Sequence, residues 1–116
     1  MKKDKFILSY ENINNICSKL LKNKSGIVFC IEKSPNKNSN SFYLRFKDKN
    51  TSTSLRLSDH HTLLTKNDAG IRNLIITNST TNGEVINKIN EALTALKYKS
   101  NIIRIDTLYS KIKKEK

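Results

Sequence analysis

The sequence predicts an α+β protein, a single two-layer domain in which an antiparallel sheet of four to five strands packs against helices at the N- and C-terminal ends. Three observations carry that prediction. "SFYLRFK" and "STSLRLS" alternate apolar and polar residues on either side of a turn-like "DKNT". "TNGEVINKINEALTALKYK" sets apolar residues at helical spacing behind a capping signal. A shorter helical pattern lies near the N-terminus.

In chain order, Tyr10, Ile13, Cys17 and Leu20 recur at helical spacing, with Ser9 as N-cap and Gly26 as stop, predicting a helix over 9–24. "GIVFCIEKS" is a continuous apolar run, which predicts a strand central in its sheet. "PNKNSNS" is a polar loop opened by the only proline. Phe42, Leu44 and Phe46 then face one way and Tyr43, Arg45 and Lys47 the other. Leu55 and Leu57 likewise face in, with Ser54, Arg56 and Ser58 out. The short separation makes these two strands an antiparallel hairpin, so Tyr43, Arg45, Lys47 and Arg56 share a basic outer face. "DHHTLLTKNDAG" reads as a loop and "IRNLIIT" as a fourth strand. Thr81 and Glu84 have capping-box spacing, and Val85, Ile89, Ala92, Leu93 and Leu96 form one apolar stripe. "NIIRID" suits a fifth, edge strand. "TLYSKIKKEK" reads as a last helical turn ending in a basic, disordered tail over 111–116.

A chain of 116 residues supports one domain, 1–116, with one modest core. No apolar run approaches the roughly 18–20 residues that span a bilayer, and the run Phe6 to Leu8 is too short for a signal peptide. These points predict a cytoplasmic protein without membrane association. Cys17 and Cys30 both have apolar neighbours and no CxxC or Cys/His spacing, so they read as reduced core thiols. The net charge is +12, and eighteen of the 22 basic residues are lysine. That exceeds the ~2–8 that solubility asks of a small domain and predicts an acidic partner: RNA, DNA, a nucleoprotein or an acidic protein face. A chain rich in Lys, Asn and Ile together also arises from A+T-rich coding sequence.

Chemistry crowds most closely in "SLRLSDHHT", which holds an arginine, an aspartate and both histidines. Adjacent residues on an extended chain point to opposite sides, so His60 and His61 do not readily share a metal, and no third histidine exists. Ser58, Asp59 and His60 are triad residue types, but no GxSxG elbow or Gly-rich phosphate loop accompanies them. The expectation is a binding protein with no catalytic residues, no metal and no cofactor. Asp59 and His60 also suit a structural role, shaping the turn after the strand. Arg56, between two inward leucines, reads as displayed outward, where its planar fork suits phosphate or carboxylate. The expected partner-binding residues are Tyr43, Arg45, Lys47, Arg56 and His60.

From "SFYLRF" through "LRLSDH", "LIIT" and "VINKINEALTAL", over roughly residues 42 to 97, the chain resembles small proteins of phages and other mobile elements of low-GC bacteria. It is nearest in pattern to broad-spectrum phage anti-CRISPR inhibitors of type II CRISPR nucleases, in which the corresponding strand ends in Arg-Leu-Ser-Asn-His. Arg56, Leu57, Ser58 and His60 match that pattern, and Asp59 stands in place of the asparagine. The inhibitors carry a long arginine-rich arm before the folded part, where this chain reads as a short segment and a helix. The resemblance implies a counter-defence protein that binds a host CRISPR effector protein or ribonucleoprotein. Two other readings are a small basic nucleic-acid-binding regulator, and a sponge for a nucleotide immune signal held by Arg56, Arg104 and His60.

Overall fold

The period-two pattern of the central sequence folds as a hairpin. In the computed structural model, which describes residues 4–35, 40–59 and 72–114 (side chains of the last helix as far as 103), β2 (Ser41–Lys47) pairs antiparallel with β3 (Ser52–Ser58). Phe42, Leu44, Phe46, Leu55 and Leu57 are all buried. The turn between the strands is built by Asp48. Its backbone N–H bonds the Thr51 carbonyl, and its Oδ1 accepts from the N–H groups of Asn50 and Thr51 at 2.8 and 2.9 Å.

The remaining elements are α1 (Tyr10–Leu21), β1 (Val28–Lys33), β4 (Arg72–Ile75) and α2 (Asn82–Lys114). The fold is α+β, with a four-stranded sheet in the order β1-β2-β3-β4. Both helices pack on the inner face, α1 against β1 and α2 across β2, β3 and β4. Ser9 caps α1 as its spacing predicts, accepting the Asn12 N–H on Oγ at 3.2 Å. Gly26 takes φ +84° shortly after that helix ends, a conformation that favours glycine. Thr81 Oγ1 accepts the Glu84 N–H at the start of α2. Val85, Ile89, Ala92, Leu93 and Leu96 are buried together with Phe6, Ile13, Cys17 and the hairpin residues.

Four expectations are corrected. β1 is an edge strand, not a central one. Its Phe29 and Ile31 are half-buried on the helix side, while Val28 and Cys30 stay exposed on the other. An unbroken apolar run therefore does not mean burial on two faces here, and Cys30 is not a core thiol. The sheet is mixed, because β4 runs parallel to β3. A parallel neighbour needs a crossover of about a dozen residues, a length the interval 59–71 supplies. "NIIRID" is not a fifth strand but continues α2, which also takes in positions 111–114. Isoleucine is a mediocre helix former, but a helix already nucleated and packed extends residue by residue, and no Gly or Pro follows Gly83 of its first turn.

The N-terminal segment closes the fold. Lys5 forms an antiparallel bridge with Thr81. The Phe6 N–H bonds the Thr80 carbonyl at 2.9 Å, and the Asn82 N–H bonds the Asp4 carbonyl at 2.6 Å. Phe6 is thereby pinned in the core, 1% exposed.

Candidate partner-binding site

Register fixes which side chains share the outer face of the sheet. Glu32, Tyr43, Arg56 and Asn73 form one row across the four strands, and Cys30, Arg45 and Ser54 form the next. Val28, Lys47 and Ser52 form a third. The structure thus brings Tyr43, Arg45, Lys47 and Arg56 onto one face, as the alternation requires. Their environments differ sharply. Arg45 and Lys47 are exposed, and neither forms an ion pair among the described residues; Tyr43 is half-buried.

Arg56 does not stand out from the surface as its alternation suggests. It is 7% exposed, and its Nη1 donates to Asn73 Oδ1 at 2.9 Å. The parallel pairing of β3 with β4 sets Asn73 beside it in register. A buried guanidinium needs acceptors, because desolvating a cation without hydrogen bonds is costly, and Asn73 is placed to supply one. The guanidinium is therefore engaged within the sheet. His60 lies outside the described residues, as do the "DHH" loop that follows Asp59 and the Arg104 side chain.

The rest of "RLSD" is used internally too. Ser58 is fully buried, and its Oγ lies 2.7 Å from Ser41 Oγ across the hairpin. Asp59 Oδ1 accepts the Asn40 N–H at 3.0 Å, while its own N–H bonds the Asn40 carbonyl at 3.1 Å. This pair of bonds closes the open end of the hairpin; the turn that Asp59 is read to shape lies outside the described residues. Arginine, serine and aspartate here hold β2, β3 and β4 in register.

The exposed chemistry on this face is a short basic ridge. Arg45 and Lys47 alternate along β2, about 7 Å apart along the strand. Val28, 63% exposed, and Cys30 flank them on β1. Sequence reasoning missed Val28 and Cys30 because it placed β1 at the centre of the sheet. It also missed Asn73, although an amide side chain within the strand "IRNLII" marks a position that wants a partner. Among the described residues no cluster of three His, Cys, Asp or Glu side chains could hold a metal, and no helix is long and apolar enough to cross a membrane.

No protein family matches this chain, and neither curated proteins nor solved structures include a match to it.

Proposed function

We propose that this chain is a non-enzymatic binding protein that meets an acidic partner through the basic ridge on the outer face of its sheet. The observation that carries this reading is the display of Arg45 and Lys47 side by side, exposed and without ion pairs among the described residues, on a chain of net charge +12. Cations left without local counter-charges attract an anionic surface and lose that attraction as salt rises.

The partner class proposed is a host CRISPR effector complex or the nucleic acid it carries, which makes the protein a phage or mobile-element counter-defence factor. The resemblance in "SFYLRF…LRLSDH…LIIT" supports this reading, and the internal bonds of buried Arg56 and Ser58 make those two shared residues a signature of strand register. The contact residues are then Arg45 and Lys47, with Tyr43 beside them. The test is plasmid interference in cells with an active CRISPR system, comparing the natural chain with Arg45→Glu/Lys47→Glu. Protection by the natural chain that the double variant loses supports the proposal. Absence of protection against every CRISPR type tested refutes it.

The net charge also favours a second reading, a small regulator that binds bare nucleic acid. It predicts gel shifts that weaken steeply between low and moderate salt as counterions are released. An inhibitor of a protein complex has no need to shift naked DNA or RNA.

A further inference from the structure

A free edge of the sheet lies along β1, where no described strand pairs with the outer side. The Ser34 N–H bonds the Ser41 carbonyl at 2.8 Å, and in an antiparallel ladder the residues that bond a given neighbour alternate. Val28, Cys30 and Glu32 therefore bond β2, while Phe29, Ile31 and Lys33 turn their N–H and C=O groups outward. No described residue bonds those of Phe29 and Ile31. A row of open backbone groups is a template for one more extended strand.

The side chains beside that edge select the chemistry of the added strand. Val28 and Cys30 are exposed on the outer face. Arg45 stands behind Cys30 and Lys47 behind Val28, each in the same row. A strand added to β1 lies two strand spacings from β2, about 10 Å, with only those two small side chains between. Glutamates facing Cys30 and Val28 reach over them toward the two basic groups. Glu32 is exposed in the next row, with half-buried Tyr43 behind it. A third acid is repelled there and a base is favoured.

Given that the basic ridge meets an acidic partner, we propose that the partner contributes an extended protein segment that joins the sheet antiparallel to β1. Its backbone bonds Phe29 and Ile31, and two acids at alternate positions meet Arg45 and Lys47. Main-chain bonds supply affinity in such strand addition, and alternate side chains supply selectivity. A nucleic-acid strand offers phosphates to the ridge but no amide ladder to the edge. The antiparallel direction fixes the order of side chains, because the segment passes Glu32 first, then Cys30, then Val28. The pattern recognised is base-x-acid-x-acid. The x residues face the helix side, next to half-buried Phe29 and Ile31, and their N–H groups point to β1. The N–H groups of the acids point away.

Calorimetric titration of the full chain with end-capped peptides tests this. Thr-Lys-Thr-Glu-Thr-Glu-Thr is expected to bind, and the same peptide with glutamine for glutamate to bind about tenfold more weakly. The chain carrying Arg45→Glu/Lys47→Glu is expected to lose the glutamate peptide by about the same factor. N-methylation of the threonines, which removes the N–H groups that face β1, is expected to abolish binding. N-methylation of the glutamates is expected to leave it unchanged. Binding that survives methylation of the threonines overturns the proposal, and so does binding that Arg45→Glu/Lys47→Glu leaves intact. A chain that binds no peptide while Arg45 and Lys47 still confer protection in plasmid interference also overturns it, and leaves the ridge as the contact surface. Neither peptide binding nor protection overturns both.

Discussion

Replacing Arg56 by alanine separates a residue that holds the sheet from one that waits for a partner. The guanidinium is 7% exposed and donates to Asn73 Oδ1 at 2.9 Å. A hydrogen bond from a charged group contributes about 1.5–3 kcal/mol, and removing the donor also strands the Asn73 carbonyl oxygen. We expect a loss of about 2 kcal/mol. Unfolding entropy of about 2.1 cal/mol/K per residue gives roughly 240 cal/mol/K for a chain of this length, so Tm falls by about 8 °C. Arg45→Ala and Lys47→Ala remove exposed cations, and such changes usually stay within about 0.5 kcal/mol, or roughly 2 °C. Thermal unfolding followed by circular dichroism compares all three. If Arg56→Ala melts within 2 °C of the natural chain (~0.5 kcal/mol), or if Arg45→Ala costs as much, the assignment of structural and contact roles is wrong.

The two thiols should behave differently: Cys30 is exposed, while Cys17 is buried and burial pushes its pKa up to about 12. A thiol reagent near neutral pH should modify one cysteine in the native chain and both after denaturation, as mass spectrometry would count. Because the folded pKa of Cys17 lies above its ordinary value of 9.0, its contribution to stability is whole below pH 9.0 and drains away as pH rises toward 12. The loss reaches about 4 kcal/mol at about 1.4 kcal/mol per unit, so a Cys17→Ala variant should show a shallower alkaline fall in denaturant titrations. Asp48 has the opposite sign. Desolvation raises its pKa, but the N–H bonds from Asn50 and Thr51, with Ser100 and the Lys49 charge, together hold the carboxyl below its usual range. Its contribution is present above pH 3.8 and lost as pH falls through the lowered value; Asp48→Asn should flatten the acid limb of the stability curve. Phe46→Ala empties a fully buried site beside Phe29 and should cost about 3–5 kcal/mol in urea unfolding.

The hairpin, both helix caps and the α2 stripe were legible in the sequence because each rests on local periodicity. "SFYLRFK" fixes which side chains share a face whatever strand lies beside it. Three features were not legible, and each depends on a neighbour distant in sequence. The apolar run of β1 looks central until the sheet order shows no strand beyond it among the described residues. The direction of β4 is set by how the chain returns after Ser58, which no pattern within "IRNLIIT" records. Arg56 alternates outward as expected, but its burial and its bond depend on Asn73, 17 residues further on. Alternation gives the face a residue occupies and leaves open whether that face is covered there. For the candidate site, alternation placed Tyr43, Arg45, Lys47 and Arg56 on one face, as the register has them, and did not foresee that Arg56 is buried there while Arg45 and Lys47 are exposed.

The bridge between Lys5 and Thr81 also orders events at the ribosome. The segment around Lys5 has its pairing partner 76 residues later in the chain. At roughly 5–20 residues per second, Phe6 waits about 4 to 15 s before the segment that pairs beside it exists. During that interval the nascent chain carries an exposed phenylalanine and an unpaired backbone edge. The hairpin of β2 and β3 is complete well before the wait ends, so the segment around Phe6 is among the last pieces to lock, although it is made before the hairpin.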